Sequence, residues 1–465
     1  MKITLILAAA KNDPLRKNDP FMPLSLPLLA GSAPDHEYTF VDMLAGESID
    51  YKKPADVVGI SARISAEKTA HKIADNFKEL GVTVILGGAQ ISANPFEAKE
   101  HADAVVVGEG EFLWPQLLND IENNKLKDFY VVSPDKFESK NYSVYQINSY
   151  PDLKNLSFPI RSIFKKKYSF DTVFASRGCP INCDFCSVSS LFGRRVRLRN
   201  IDDVVKEIDT FKNYYYILDD TVFGRTSDYD YYIELYDKIA SLKKTRYWTG
   251  QANLDAASSE KGRKVIKKAA KAGLIYAAIG IESINPLVQE KSGTINKIGA
   301  KKNDDVIAVM KQNIKFIQDQ GIIITGWFTI GYEDDTLDTF YKTYEFCKET
   351  NIIPIISPVE ALPGTRLYER LKKENRIDLK KKINIVHPSM NDDEMLKAIE
   401  DINNHAFSLS ETLKRTAFYS KFFGKNYDTR SKNIEDKIHK TIFALILQLK
   451  LKNGVYALSN TDFKE

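Results

Sequence analysis

Three cysteines inside eight residues constrain this chain more than any other feature. They lie in Ser176-Arg177-Gly178-Cys179-Pro180-Ile181-Asn182-Cys183-Asp184-Phe185-Cys186, at spacing C-x3-C-x2-C. The whole 465-residue chain has one further cysteine, Cys347. Thiolates crowded in this way suit a metal or an iron–sulfur cluster. A structural zinc site closes with four ligands, as two pairs or with histidines. No second C-x2-C follows, and neither Cys nor His stands near Cys347 in sequence. Three thiolates on a [4Fe–4S] cluster leave one iron open, and an open position implies a ligand that takes part in chemistry. Cys179, Cys183 and Cys186 are therefore the expected metal ligands and the centre of catalysis.

The segments around this loop alternate strands and helices. Ahead of it, Ile3–Ala8, Tyr38–Asp42, Val57–Ser61, Val82–Leu86 and 101–107 read as strands. The spacing predicts helices over 27–32, 66–80 and 111–121, the second stopping at Gly81. Such alternation argues a doubly wound, Rossmann-like parallel sheet whose ligand lies at the carboxyl ends of the strands. Those ends carry Ser61, Gly87-Gly88 and Gly108-Glu109-Gly110. Glycine there lets a ligand approach the backbone closely, though such connections use glycine in any case. Phe170–Ala175 reads as the strand that delivers the loop, and with the alternating elements that follow it makes six β/α units to Ser357, with polar residues at the strand ends. They read as a partial (β/α)6 barrel with its chemistry on the carboxyl-terminal face.

The stretch Arg-Gly-Cys-Pro-x-x-Cys-x-Phe-Cys resembles the cluster loop of the radical S-adenosylmethionine (radical SAM) enzymes, in the subclass with a cobalamin-binding domain ahead of the radical domain. Phe185 matches the aromatic common before the third cysteine. The later strand ends resemble that family in order: Asp219-Asp220, Gly280-Ile281-Glu282-Ser283, Gly331-Tyr332-Glu333-Asp334-Asp335-Thr336 and Pro363-Gly364-Thr365. The first segment resembles the cobalamin-binding domain through Pro23-Leu24-x-Leu26, Asp42, Val58–Ser61, Gly87-Gly88 and Val107–Glu111. One departure is the absence of the Asp-x-His-x-x-Gly loop that supplies a histidine to cobalt in many cobalamin domains. His36, His71 and His101 read instead as surface or core residues.

The resemblance implies reductive cleavage of S-adenosylmethionine to a 5′-deoxyadenosyl radical. It further implies cobalamin-dependent methyl transfer to an unactivated carbon. The alternative is a non-methylating radical outcome such as ring rearrangement, cyclisation or carbon–carbon coupling. A non-catalytic iron–sulfur or corrinoid-binding protein is more remote. The cofactors implied are a [4Fe–4S] cluster, S-adenosylmethionine and cobalamin, and the chemistry is oxygen-sensitive. Glu282 resembles the carboxylate that holds the ribose of S-adenosylmethionine, a fitting acceptor for two hydroxyls. Asp219 and Asp220 would orient the methionine end or the substrate, or else cap a helix; Gln251 would touch the same ligand. Ser61, Gly87, Gly88, Gly108, Glu109 and Gly110 would bound the corrinoid. Reduced flavodoxin or ferredoxin is the implied electron donor.

Length and composition agree with several domains: a Rossmann-like domain over 1–130, a linker over 131–167, the barrel over 168–375 and a helical C-terminal domain over 376–465. Charge is near balance at +4, so nucleic acid is not an expected partner, and a small molecule or lipid is the expected substrate. The run Arg194–Arg199 lacks interleaved aromatics and reads as a solvated or structural face. Four cysteines form no disulfide framework, which implies a reduced, cytoplasmic setting. Met1–Ala10 reads as a buried strand rather than a signal peptide, and no apolar run reaches the about 18 residues of a membrane span. Ser389 or Asn391 should cap a helix, and helical pattern continues to about 451 with a break at 424–432. Phe407, Phe418, Tyr419, Phe422 and Phe423 read as core, in a tail resembling helices that shape the substrate site.

Overall fold

The computed structural model describes residues 1–13, 15–212, 214–244, 246–301, 303–423 and 434–459. The chain divides into two compact units. The first holds Met1–Thr172 and Ser190–Asn200; the second holds Val173–Ser189 and residues 201–459.

The first unit is a seven-stranded parallel sheet of β1 (Lys2–Leu7), β2 (Glu37–Asp42), β3 (Val57–Ser61), β4 (Thr83–Gly87), β5 (Ala104–Val107), β6 (Phe129–Val132) and β7 (Val144–Ile147). Their order is β2-β1-β3-β4-β5-β6-β7. The strands are short and rich in Val and Ile, and both faces are covered. Ile73, Ala74 and Phe77 of helix Glu67–Glu79 close one face; Leu26, Trp114 and Leu117 close the other. That is the doubly wound arrangement expected. The chain reverses direction across the sheet between β1 and β3, which opens a crevice at their carboxyl ends.

Two expectations change here. Segment 131–167 is more than a linker, because β7 and the end of β6 extend the sheet. Four-residue strands set among Lys, Ser and Pro carry too little periodicity to be read. The segment 101–107 is a strand only from Ala104; His101 ends helix Pro95–His101.

The second unit begins at the last residue of β8 (Phe170–Val173) and contains the two-residue β9 (Ser176–Arg177), β11 (Tyr214–Ile217), β12 (Trp248–Ala252), β13 (Leu274–Glu282), β14 (Ile323–Ile330) and β15 (Ile353–Pro358); β10 (Arg197–Leu198) falls in the first unit. Its sheet runs β15-β14-β13-β12-β11-β8, and β11 to β15 pair in parallel. Helices cover the outer face, where Trp248, Ile279, Ile281, Ile324, Phe328 and Ile356 meet their apolar stripes. The family-like turns do structural work at helix starts. Asp335 Oδ2 accepts the Gly331 and Tyr332 N–H groups at 3.0 and 3.1 Å. Thr336 and Thr365 cap helices Leu337–Thr350 and Arg366–Lys373.

The C-terminal helices belong to this unit rather than to a domain of their own. Asn391, not Ser389, caps helix Asp392–Ala406 through a reciprocal pair with Glu394. The expected break at 424–432 lies outside the described residues. Phe407, Tyr419 and Phe423 are buried against Ile275, Ile323 and Ile353 at the amino-terminal ends of the strands. These three are core, as read, whereas Phe418 and Phe422 are half-buried. Whereas the start of the segment lies at the carboxyl ends of the strands, with His387 Nε2 2.8 Å from Tyr332 O and Met395 beside Gly331, these later helices close the end of the sheet opposite the cysteine loop. Bare aliphatic residues at that end require cover.

Candidate active site

The cysteine loop leaves the carboxyl end of β8 and is tied down on several sides. Asp219, buried at the end of β11, accepts the N–H groups of Ala175 at 2.6 Å and Ser176 at 3.0 Å, and the Tyr232 hydroxyl at 2.7 Å. Asp220 accepts the Gly178 N–H at 3.1 Å. The aspartate pair therefore holds the backbone entering the loop and caps no helix. Farther along, Asp184 N–H donates to Ser292 O at 3.0 Å, and Asp184 O accepts the Leu367 N–H at 2.9 Å. The Tyr332 hydroxyl donates to Asp184 Oδ1 at 3.2 Å, and Arg366 donates to Asn182 O. Gly293 (φ +77°) lies so close that a Cβ there would stand 2.8 Å from Asn182 O.

Burial pushes all three thiols up from their ordinary range, Cys183 to about 12. Their electrostatic influence on one another puts them in one neighbourhood, and the Lys297 ammonium favours the thiolate form of each. Burial opposes the charge on Lys297, but Glu282 and Cys183 outweigh it and raise its pKa. Among the described residues, no three Cys, His, Asp or Glu side chains converge as one metal ion requires. A cluster makes no such demand, since its thiolates bond to separate iron corners. Three thiols on a fixed loop, Cys183 buried and Cys179 and Cys186 half-buried, with a cation that favours their ionised form, fit a cluster held by three ligands.

Glu282 ends β13 beside this loop. Its φ of +68° is unusual for a residue with a side chain, and the register with β14 shifts between Gly280 and Glu282. The bulge turns the carboxylate to the inner face of the sheet. There Lys297 holds Oε1 at 2.7 Å and the Thr329 hydroxyl holds Oε2 at 3.0 Å. A Cβ at Gly280 would stand 2.5 Å from Glu282 Oε1, so that position is kept bare. Gln251 is exposed on the inner face of β12, and Phe185 is half-buried with Lys297 5.9 Å from its ring. Lys297, Thr329, Tyr332, Asp184 and Arg366 were not picked out from sequence. Asp184, inside the cysteine loop, and Tyr332, inside the Gly331–Thr336 turn, stood in stretches that carried a local signal.

In the first unit the candidate residues sit at the strand ends, but packing within the unit explains most of them. Gly88 (φ +104°) packs on Ser61 and Ala62, and a Cβ there would meet Ala62 O at 2.7 Å. Gly108 (φ +89°) packs on Val132 O and donates to Ser92 Oγ at 3.0 Å. A Cβ at Gly110 would meet Leu29, and Gly87 has ordinary clearance. Glu109 is buried and paired with Arg197 at 2.8 Å, so its carboxylate serves the fold. Arg197 also donates to Pro151 O at 2.8 Å, in keeping with a structural role. Sequence reading passed over Asp13, which follows β1 and joins Arg63 at 2.7 Å and Ser65 at 3.0 Å across the crevice. No histidine stands on the loops after β1, β3, β4 or β5; His71 is buried in a helix and stacked on His101.

Residues 173–347 match the radical SAM superfamily. The chain is 30% identical over 366 residues to a bacteriochlorophyllide d C-12(1)-methyltransferase of Chlorobaculum tepidum, covering 76% of this chain and 75% of that one. The fold resembles OxsB, a cobalamin-dependent S-adenosylmethionine radical enzyme solved with aqua-cobalamin (TM-score 0.65, 17% identity, 96% of this chain and 72% of that one). It also resembles TsrM of Kitasatospora setae, a radical S-adenosylmethionine methyltransferase solved with cobalamin and a [4Fe–4S] cluster (TM-score 0.62, 14% identity, 80% and 78%).

Proposed function

The chain is an enzyme of the radical SAM superfamily, and from that premise we propose that it transfers a methyl group to an unactivated carbon. Reductive cleavage of S-adenosylmethionine takes place in the second unit, with a corrinoid in the first. The observation that carries this reading is the placing of Lys297, which holds Glu282 at 2.7 Å, where its charge also favours the thiolates of the cysteine loop. Identity to a methyltransferase along three quarters of the chain supports the outcome. The fold shared with cobalamin enzymes supports the corrinoid.

When bound, the cluster supplies one electron to the sulfonium and the corrinoid carries the methyl group. The chain's own part is placement. Cys179, Cys183 and Cys186 hold the cluster, while Asp219 and Asp220 fix the loop that presents them. Glu282, aimed by Lys297 and Thr329, accepts the ribose hydroxyls. Gln251 stands on the same inner face and would reach the same ligand. Ser61 and the glycine loops border the corrinoid crevice, and Glu109 braces it through Arg197.

The electron donor is a separate acidic carrier, a reduced flavodoxin or ferredoxin. Segment 366–382 holds eight Lys and Arg against three Asp and Glu, a net +5 where the whole chain is +4. Its helix touches the cluster loop through Leu367 and Arg366, so complementary charge would steer the carrier there. The substrate is a small molecule or lipid.

Anaerobic protein incubated with S-adenosylmethionine and a reductant tests the reading. A corrinoid absorbance band, with 5′-deoxyadenosine and S-adenosylhomocysteine formed together, is expected. 5′-Deoxyadenosine alone, from protein without that band, would replace methyl transfer with a rearrangement or coupling reaction.

A further inference from the structure

Trp327 is open to solvent where its strand gives no reason for it. It stands in the middle of β14, paired to β13 on one side and to β15 on the other. Every other residue of β14 is buried or, at Thr329, half-buried, yet Trp327 is 42% exposed. The chain's other tryptophans, Trp114 and Trp248, are 1 and 0% exposed. Ile324 and Phe328 pack on the outer helices, so alternation sets Trp327 on the inner face, two residues from the Thr329 that holds Glu282. The ring is fixed there. Its indole N–H donates to Thr325 Oγ1 at 3.0 Å, and that oxygen lies 2.9 Å from the Tyr276 hydroxyl. With its polar edge satisfied, the ring has its π face left to offer.

The neighbours give the space a shape. On β13 the partners of Thr325 and Trp327 are Ala278 and Gly280, the smallest side chains available. Beyond them Gln251 is exposed on β12, and Leu218, just past the end of β11, is 42% exposed. Trp327 and Leu218 thus stand on segments three strand spacings apart, about 14 Å, across a low floor. A Cβ at Gly280 would stand 2.5 Å from Glu282 Oε1, so this floor runs up to the carboxylate assigned to the ribose. A low floor between an indole and an aliphatic side chain takes a flat body, and a conjugated one also stacks on the indole. Resting on the methyl-transfer reading, we propose that Trp327 is the stacking platform for the substrate. The substrate is a planar conjugated ring system lying across Ala278 and Gly280, with the Gln251 amide open to its polar edge.

The test is calorimetric titration of the reconstituted protein, in the presence of S-adenosylmethionine, with 2-naphthol and with decahydro-2-naphthol, its saturated counterpart. The parent should bind 2-naphthol several-fold to about tenfold more tightly, although the saturated ring is the more hydrophobic. Trp327→Leu should abolish that preference and Trp327→Phe should keep part of it, both with S-adenosylmethionine affinity and iron content unchanged. Three results would overturn the proposal: equal affinity of the parent for the two alcohols, or none; a preference that survives Trp327→Leu; or S-adenosylmethionine affinity lost with the indole. The last would assign the ring to adenine. A weakened preference in Trp327→Phe keeps the question decidable if Trp327→Leu fails to fold. Failure of the methyl-transfer reading would show separately, as 5′-deoxyadenosine formed without S-adenosylhomocysteine while the preference for 2-naphthol stands.

Discussion

Asp219→Ala is the substitution whose cost follows most directly from the structure. The carboxylate is buried and serves three donors: the N–H groups of Ala175 and Ser176 and the hydroxyl of Tyr232. Removing it leaves those donors without that acceptor, although Ser176 Oγ remains 2.9 Å from the Tyr232 oxygen. An unsatisfied buried donor costs about 1–3 kcal/mol. With partial rescue by water in the vacated space, the loss is about 3–6 kcal/mol, a large part of the about 5–15 kcal/mol that holds a domain folded. Asp219→Asn keeps one oxygen for the backbone donors and should cost about 1–2 kcal/mol, and Tyr232→Phe about 1 kcal/mol. The assay is urea unfolding of the three variants, with iron content after anaerobic reconstitution. The expected order of damage is Tyr232→Phe, Asp219→Asn, Asp219→Ala, with iron lost in the last because these bonds fix the entry to the loop. An Asp219→Ala protein that unfolds like the parent and binds full iron would refute the reasoning.

Gly280→Ala should separate two functions of the site. Its Cβ would crowd Glu282 Oε1 at 2.5 Å and Lys297 Nζ at 3.2 Å, so calorimetric titration should show S-adenosylmethionine binding weakened about tenfold, near 1.4 kcal/mol, with iron content unchanged. Gly293→Ala should do the reverse. A left-handed backbone costs alanine about 1–2 kcal/mol and the new methyl presses on Asn182 O, so iron retention should fall on dilution into chelator. Glu333→Gln should flatten the acid limb of thermal unfolding. Burial raises the Glu333 carboxyl, but Arg376 and Arg370 outweigh it and hold it below the ordinary range. A depressed pKa gives stability above the unfolded value of about 4.3 that is lost as pH falls. Parent and variant should therefore converge at low pH and differ most near neutrality.

What the sequence made legible was whatever repeats locally. The cysteine spacing, the alternation of elements and the turn residues Gly331–Thr336 each announce themselves within a few positions. The aspartate pair was found as a pair, yet its work of holding the Ala175–Gly178 backbone could not be read, because its partners lie more than forty residues back. Lys297 gave no sign, being one lysine among many until the fold set it against Glu282. Glu109 shows the opposite limit. A glutamate between two glycines at a strand end looks like a ligand contact, and only the ion pair to Arg197 shows where its charge is spent. β7 was missed because four residues give two repeats of a strand pattern, too few to stand out from a loop.

The central claim is that three thiols leave one iron of a cluster open to S-adenosylmethionine beside Glu282. Electron paramagnetic resonance of the anaerobically reduced, reconstituted protein tests it most directly. The account predicts a reduced-cluster signal that changes on adding S-adenosylmethionine, with a smaller change in Gly280→Ala at the same concentration. A spectrum that stays the same in the parent protein, at saturating S-adenosylmethionine, would contradict it.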